Sequence, residues 1–252
     1  MHVDRHLRFD RISNIRDLGG IPTSSGGRIR AGMVVRSGEL SRLSAEDQQR
    51  LAAMGFRFVF DLRTRNERSN RPSRLWQGLP RAVHRDYGHS GADLATLATR
   101  PGLTADLMRD RMLSLYRTIA FDQSESFAMM MRAIAAGEVP MLFHCAGGKD
   151  RTGAFAALLL DALGVPRDAI AADYLLSNDW VDAARPRFLN HIDRGDIDPA
   201  VWEPLLRVEP EYLNAMFDAV ARQHRDSHAY FTAIGIDAAT ITAVREILVE
   251  EA

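Results

Sequence analysis

The sequence predicts an α/β protein with a central, mainly parallel sheet flanked by helices, a helical insertion and a helical C-terminal part. Three observations carry this. Two compact apolar runs, Arg57 to Leu62 and Pro140 to His144, read as short buried strands with turn residues nearby. Segments of helical periodicity alternate with them, which argues for parallel strand pairs joined by crossovers. A nearly continuous apolar stretch, Thr152 to Leu163, follows the second run and must form a buried helix.

In chain order, Met33 to Arg36 is a fainter strand candidate. Ser44 with an acid three residues on, followed by helix formers and closed by Gly55, predicts a capped helix. The strand at residues 57–62 comes next, then another faint candidate at Ala82 to His84. From His89 to Gly137 the pattern is helical, with Leu107, Met108, Met112, Leu115 and Ile119 at helical spacing, then Phe127, Met130, Met131 and Ile134. Core packing is the preferred reading of these methionines over a substrate lid. The helix after Thr152 ends at Gly164 and Pro166, and from Arg167 onward only helices are expected, broken near Pro186, Pro199, Pro204 and Pro210, with Ala238 to Val249 the last. There is no repeat or low-complexity linker. The expectation is one domain over residues 1–252, with the insertion at about 90–136 and the C-terminal part at about 166–252.

Composition narrows the function. The formal net charge of -1 gives no global attraction to nucleic acid or acidic membranes, so any anion site must be local. The polar N-terminus lacks the apolar core of a secretory signal, and no apolar run approaches the roughly 20 residues of a membrane span. A cytoplasmic protein, or one exported without a recognisable signal, is expected. The chain has a single cysteine, Cys145, and a single lysine, Lys149, while its other basic residues are arginine. A lone cysteine excludes an internal disulfide framework and a four-cysteine zinc site.

Both singletons lie in His144-Cys145-Ala146-Gly147-Gly148-Lys149-Asp150-Arg151-Thr152-Gly153. The run leads from a buried strand through glycines into a helix. Such a turn aims backbone N–H groups inward and adds the positive end of the helix, which makes an oxyanion cradle. A thiol in a cradle of this kind is stabilised as the nucleophilic thiolate. Arg151, returning at the far end of the loop, has the fork geometry to hold two oxygens of a phosphoryl group. Ala146, Gly147, Gly148, Lys149, Thr152 and Gly153 complete the expected binding loop. A nucleotide-binding Walker loop is disfavoured because Asp150 follows Gly148-Lys149 where a Ser or Thr is required. The arginine-closed spacing and Thr152-Gly153 argue against a rhodanese-like sulfur carrier, and retention of the nucleophile argues against a phosphate-reading domain with little turnover.

These residues resemble the cysteine-based protein tyrosine phosphatases, whose pattern is His-Cys, five residues, Arg, then Ser or Thr. The likeness is greatest to the atypical bacterial branch with a Lys-Asp-Arg loop, the PtpB and LipA type. Further blocks resemble that branch in order: Asn14 to Gly20, Arg28 to Leu40, Phe60 to Thr64, Glu67-Arg68, Glu211 to Leu213, Tyr230 and Ile234 to Ile236. Ala146-Gly147-Gly148 departs slightly from the branch, which more often shows a residue followed by Ala-Gly. No Trp-Pro-Asp loop is visible, so the proton donor must lie elsewhere. Asp61, at the end of a strand whose carboxyl edge should face the site, is slightly favoured, with a salt bridge to Arg63 or Arg36 as its alternative role. Asp150 is the candidate the resemblance implies, and Asp86 and Asp93 are further candidates. The resemblance also associates Lys149 with phosphoinositide as well as phosphoprotein substrates, the ammonium contacting a second phosphate; an ion pair is the alternative. Arg63 and Arg65 are rim candidates. The expected reaction is phosphomonoester hydrolysis through a phosphocysteine, on phosphotyrosine proteins with dual-specificity or phosphoinositide activity as the finer expectation, and it implies no metal or organic cofactor.

Overall fold

In a computed structural model, residues 5–86, 102–183, 185–186 and 198–251 are described. The elements are β1 (Arg16–Asp17), β2 (Arg28–Ile29), β3 (Val34–Ser37), α1 (Ala45–Ala53), β4 (Phe58–Asp61), α2 (Arg65–Asn70), β5 (Arg81–His84), α3 (Ala105–Asp122), α4 (Ser124–Ala135), β6 (Met141–His144), α5 (Arg151–Ala162) and α6 (Arg167–Leu175). After two short 3-10 turns come α7 (Glu203–Leu206), α8 (Pro210–His224), α9 (Ser227–Ala233), α10 (Ala238–Leu248) and β7 (Val249–Glu250).

The main sheet has the order β1-β3-β6-β4-β5, parallel throughout except for the antiparallel edge strand β1. Side chains of a strand alternate between faces, and here the alternation divides the core in two. Val34, Phe58, Phe60, Met141 and Phe143 join the larger cluster with α3, α4 and α5, whereas Val35, Val59 and Leu142 pack with Ile15, Leu51 and Trp76 on the opposite face. Both faces are covered, which is why β4 and β6 read as unbroken apolar runs rather than as alternating ones. Phe155 of α5 meets Phe143 edge-on at 5.0 Å and Phe127 at 5.3 Å, fixing the helix to the sheet. Emptying such a site, as in Phe143→Ala, costs about 3–5 kcal/mol.

Ser44 caps α1 in a reciprocal box with Asp47, and Gly55 beyond its end takes φ +70°, as the sequence signals indicated. Met108, Met112, Met130 and Met131 are all buried, so these methionines belong to the core. One expectation needs correcting. The chain beyond Arg167 is not purely helical, because α10 stops at Leu248 and β7 pairs antiparallel with β2. Two-residue strands carry too little pattern to be read from sequence.

The sheet's register places the site. Ser37 and Asp61 both align with His144, so β3, β4 and β6 end level with one another. Cys145 therefore leaves the sheet at its carboxyl edge, where parallel sheets bind ligands.

Candidate active site

The loop from Cys145 to Arg151 is shaped from outside by its carbonyl groups. Ala146 O accepts from Glu39 N–H (3.0 Å), Gly147 O from Asn14 Nδ2 (3.1 Å) and Gly148 O from Arg36 Nη2 (3.0 Å). In a trans peptide the N–H of the next residue points opposite to the C=O. The N–H groups of Gly147, Gly148 and Lys149 thus face into the space the loop encloses, and among the described residues they have no hydrogen-bond partner. Three converging unpaired donors form a nest for an oxyanion.

Gly148 makes this turn feasible. Its φ is +68°, and a Cβ there would lie 2.5 Å from Gly38 N and the Ser37 carbonyl carbon. The loop packs directly on the end of β3, leaving no room for a side chain. Cys145, at 1% exposure, sits at the base. Thr152 Oγ1 is buried without a hydrogen-bond partner among the described residues, and a Cβ at Gly153 would lie 3.1 Å from the Tyr174 ring, so glycine there lets α5 pack closely against it.

Arg151 is held as a fork. Its Nη1 and Nη2 donate to the two carboxylate oxygens of Glu67 at 2.6 and 2.7 Å, and Nη1 also reaches Leu62 O. Burial opposes the charge on Glu67, but Arg151 and the N–H and hydroxyl of Thr64 outweigh it and bring the carboxyl down to about 2. Glu67 was given no role from sequence. The available signal was the Thr64-x-x-Glu67 capping box just after a strand, which predicts a helix start beside the sheet edge.

Asp61 stands at the carboxyl edge of the sheet as expected, but Arg63 does not stand at the rim. Arg63, expected at the rim, is fully buried and donates through Nε and Nη2 to both carboxylate oxygens of Asp61 at 2.6–3.1 Å, and also to Ser73 Oγ and Arg71 O. Burial disfavours the Asp61 carboxylate, yet His144 nearby and the paired guanidinium hold the carboxyl well below its usual range. His144 itself is buried and pushed towards its neutral form by desolvation. Asp86 is tied to Arg65 and Arg68 at the surface. Asp93 lies outside the described residues.

Asp150 is the carboxylate in the loop. At 22% side-chain exposure, it accepts on Oδ1 from Lys149 Nζ (2.7 Å) and from Tyr116 Oη (2.9 Å), which in turn accepts from Tyr174 Oη (2.6 Å). Burial and the Asp150 charge raise the Tyr116 pKa well above its ordinary value, so the phenol stays a hydrogen-bond donor. The structure thus places Cys145 to Asp150 in one loop and Arg151 to Gly153 on the first turn of α5, with Glu67 beneath Arg151, while Asp61 and Arg63 form a buried pair.

A cysteine at the carboxyl edge of a parallel sheet, inside a nest closed by a braced arginine, defines a cysteine-dependent hydrolase of phosphate monoesters. The model of the tyrosine phosphatase family matches residues 7–250. A protein of Cupriavidus necator named as a tyrosine-protein phosphatase is 38% identical over 86% of this chain and 79% of its own length. The triple specificity protein phosphatase PtpB of Mycobacterium tuberculosis is 31% identical over 93% of this chain and 96% of its own. The chain belongs to the tyrosine phosphatase family and is a cysteine-dependent protein tyrosine phosphatase of the atypical bacterial branch. No helix among the described residues is long and apolar enough to cross a membrane.

Proposed function

We propose that this phosphatase works through a phosphocysteine on Cys145, with Asp150 as proton donor. The observation that carries the reading is the set of three loop carbonyls turned outward, because it leaves three amides and the braced Arg151 around one oxyanion site. Sγ of Cys145 attacks phosphorus and the bond to the ester oxygen breaks. That oxygen takes a proton from Asp150, which is partly exposed beside the loop, unlike Asp61 under Arg63. Water then attacks phosphorus and gives a proton to the Asp150 carboxylate, the S–P bond breaks, and phosphate leaves with the thiolate and the Asp150 acid both restored. Ala146, Gly147, Gly148, Lys149, Thr152 and Gly153 supply the binding loop. The three donors and the arginine stabilise charge on the transferring group, an effect typically worth roughly 10²–10³ in rate per donor.

The test is to quench the enzyme in acid during turnover of a labelled phosphotyrosine peptide and map the label. It is expected on Cys145 alone, and Cys145→Ser should carry none and turn nothing over while still binding phosphate. Label on another residue, or turnover in Cys145→Ser, overturns the reading.

The substrates are phosphotyrosine proteins, with phosphoinositides as a second class. Lys149 favours the second class, because its partly exposed side chain lies in the loop itself and its ammonium, bonded to Asp150, is a compact charge for which a second phosphate can compete. Lys149→Met should therefore lower activity on polyphosphorylated inositol lipids more than on phosphotyrosine peptides. Equal losses would make Lys149 simply the ion-pair partner of Asp150.

A further inference from the structure

Behind the loop, α6 supplies a buried carboxylate for which the reaction has no direct use. Asp173 is 1% exposed, and three guanidinium groups converge on it: Arg5 Nη1 at 2.7 Å, Arg16 Nε at 3.1 Å and Arg36 Nη1 at 2.8 Å. Arg16 also donates through Nη2 to the Asp173 carbonyl (2.8 Å) and to Ser177 Oγ (3.2 Å). Burial works against the carboxylate, but the surrounding arginines hold it ionised.

Two of these arginines connect to the loop, Arg36 directly and Arg16 through Asn14. Arg36 uses its second amino group, Nη2, on Gly148 O at 3.0 Å. Arg16 Nη1 donates to Asn14 Oδ1, and Asn14 Nδ2 donates to Gly147 O at 3.1 Å. Asn14 takes φ +54°, a conformation asparagine tolerates better than most residues. Two of the three outward-turned carbonyls are therefore held by struts whose far ends meet on one carboxylate.

We infer that Asp173 is a positioning residue for the phosphatase reaction, setting the orientation of the Gly147 and Gly148 peptides through Arg36 and the Arg16–Asn14 pair. Without its charge, Arg16 and Arg36 repel each other, and nothing fixes which edge of the Arg36 guanidinium meets Gly148 O. The device needs arginine at position 36, since one planar fork spans both partners and a lysine ammonium on a flexible stem does not.

Asp173→Asn separates geometry from charge, because the two predict opposite signs. Removing a negative charge makes the surroundings of the loop more positive, so Coulomb attraction alone tightens inorganic phosphate binding. Loss of positioning weakens phosphate as a competitive inhibitor, and lowers kcat, by roughly ten- to hundredfold. Both are measured well below the melting temperature, where a merely structural role would move neither. A folded Asp173→Asn enzyme with wild-type or tighter phosphate binding and wild-type kcat overturns the inference. If that variant lacks a cooperative melt, Arg36→Lys and Asn14→Ala decide, since each removes one strut and leaves Asp173 in place. Each is expected to lose about tenfold or more in phosphate affinity, and wild-type affinity in both overturns it. The inference rests on the loop being the phosphate site, which Cys145→Ser tests separately: turnover in that variant removes the loop reading, whereas the Asp173 series bears only on what holds the loop.

Discussion

Gly147 and Gly148 are adjacent, yet only one of them has to be glycine. A Cβ at Gly147 would meet nothing closer than Lys149 Cγ at 3.7 Å, whereas one at Gly148 would collide with the β3 backbone at a positive φ. Gly147→Ala should keep kcat/KM within about twofold. Gly148→Ala should lose roughly a hundredfold, because the loop can make room only by moving its amides. Steady-state kinetics on one phosphotyrosine peptide checks both. The aspartates differ in the same contextual way. An activated aryl phosphate leaves as a stable phenolate, but a tyrosyl or alkyl oxygen needs a proton in the transition state. Asp150→Asn should thus cost little on the first and roughly 10²–10⁴ on the second. Asp61→Asn should impair both leaving-group classes alike, since it leaves the buried Arg63 guanidinium without its carboxylate beside His144 at the start of the loop. A widening gap in Asp61→Asn with a uniform loss in Asp150→Asn would restore Asp61 as the donor. The sequence places both carboxylates near the site and offers Asp61 either as donor or as the partner of Arg63 or Arg36, and the structure shows it paired with Arg63.

At the scale of elements, α2 shows a capping box recruited for chemistry. Thr64 and Glu67 satisfy each other's backbone N–H at the helix start, and the same Glu67 carboxylate braces Arg151. Thr64→Ala removes the cap and should cost about 1 kcal/mol of stability while leaving most of kcat/KM. Glu67→Gln keeps an amide able to serve the cap but removes the charge that holds the fork, so kcat/KM should fall at least about tenfold at a temperature where both proteins are folded. Equal kinetic losses in the two would mean that Arg151 depends on the helix rather than on the carboxylate. Legibility follows from distance along the chain. Cys145, the loop glycines and Arg151 stand within seven residues, and spacing alone reveals their chemistry. Glu67 lies 84 residues from Arg151, Asn14 133 from Gly147, and Arg16 157 from Asp173. Nothing in the local pattern joins those pairs, whose meeting is decided by strand order and register. β3, β4 and β6 were legible because all four residues of each are buried, whereas β5 is mostly exposed and gave only a faint signal, and β1, β2 and β7 are too short to show any periodicity.

Across the whole molecule, the buried charges that shape the site also set how stability responds to acid. The carboxyls of Asp61, Asp173 and Glu67 titrate lower in the folded protein than in the unfolded chain. Each therefore contributes stability that is complete above its unfolded pKa and fades as pH falls towards its folded value. His144 adds to the same side, because burial lowers its pKa and the unfolded chain takes up that proton first as pH drops below about 6.5. Stability should decline gently between about pH 6.5 and 5, at no more than about 1.4 kcal/mol per pH unit for the single imidazole, and steeply below about 4.5, where several carboxyls act together. For Glu67, a descent from 4.5 to about 2 corresponds to something on the order of 3 kcal/mol, present at neutral pH and lost in strong acid. Glu67→Gln mimics the protonated state, so it should be less stable than the parent at pH 7 by an amount that shrinks as pH is lowered below 4.5. Urea unfolding of both proteins at pH 7, 5.5, 4.5 and 3.5 measures this directly. A gap that stays constant over that range would mean the Glu67–Arg151 pair stabilises the fold by packing alone, and that acid sensitivity resides in Asp61 and Asp173.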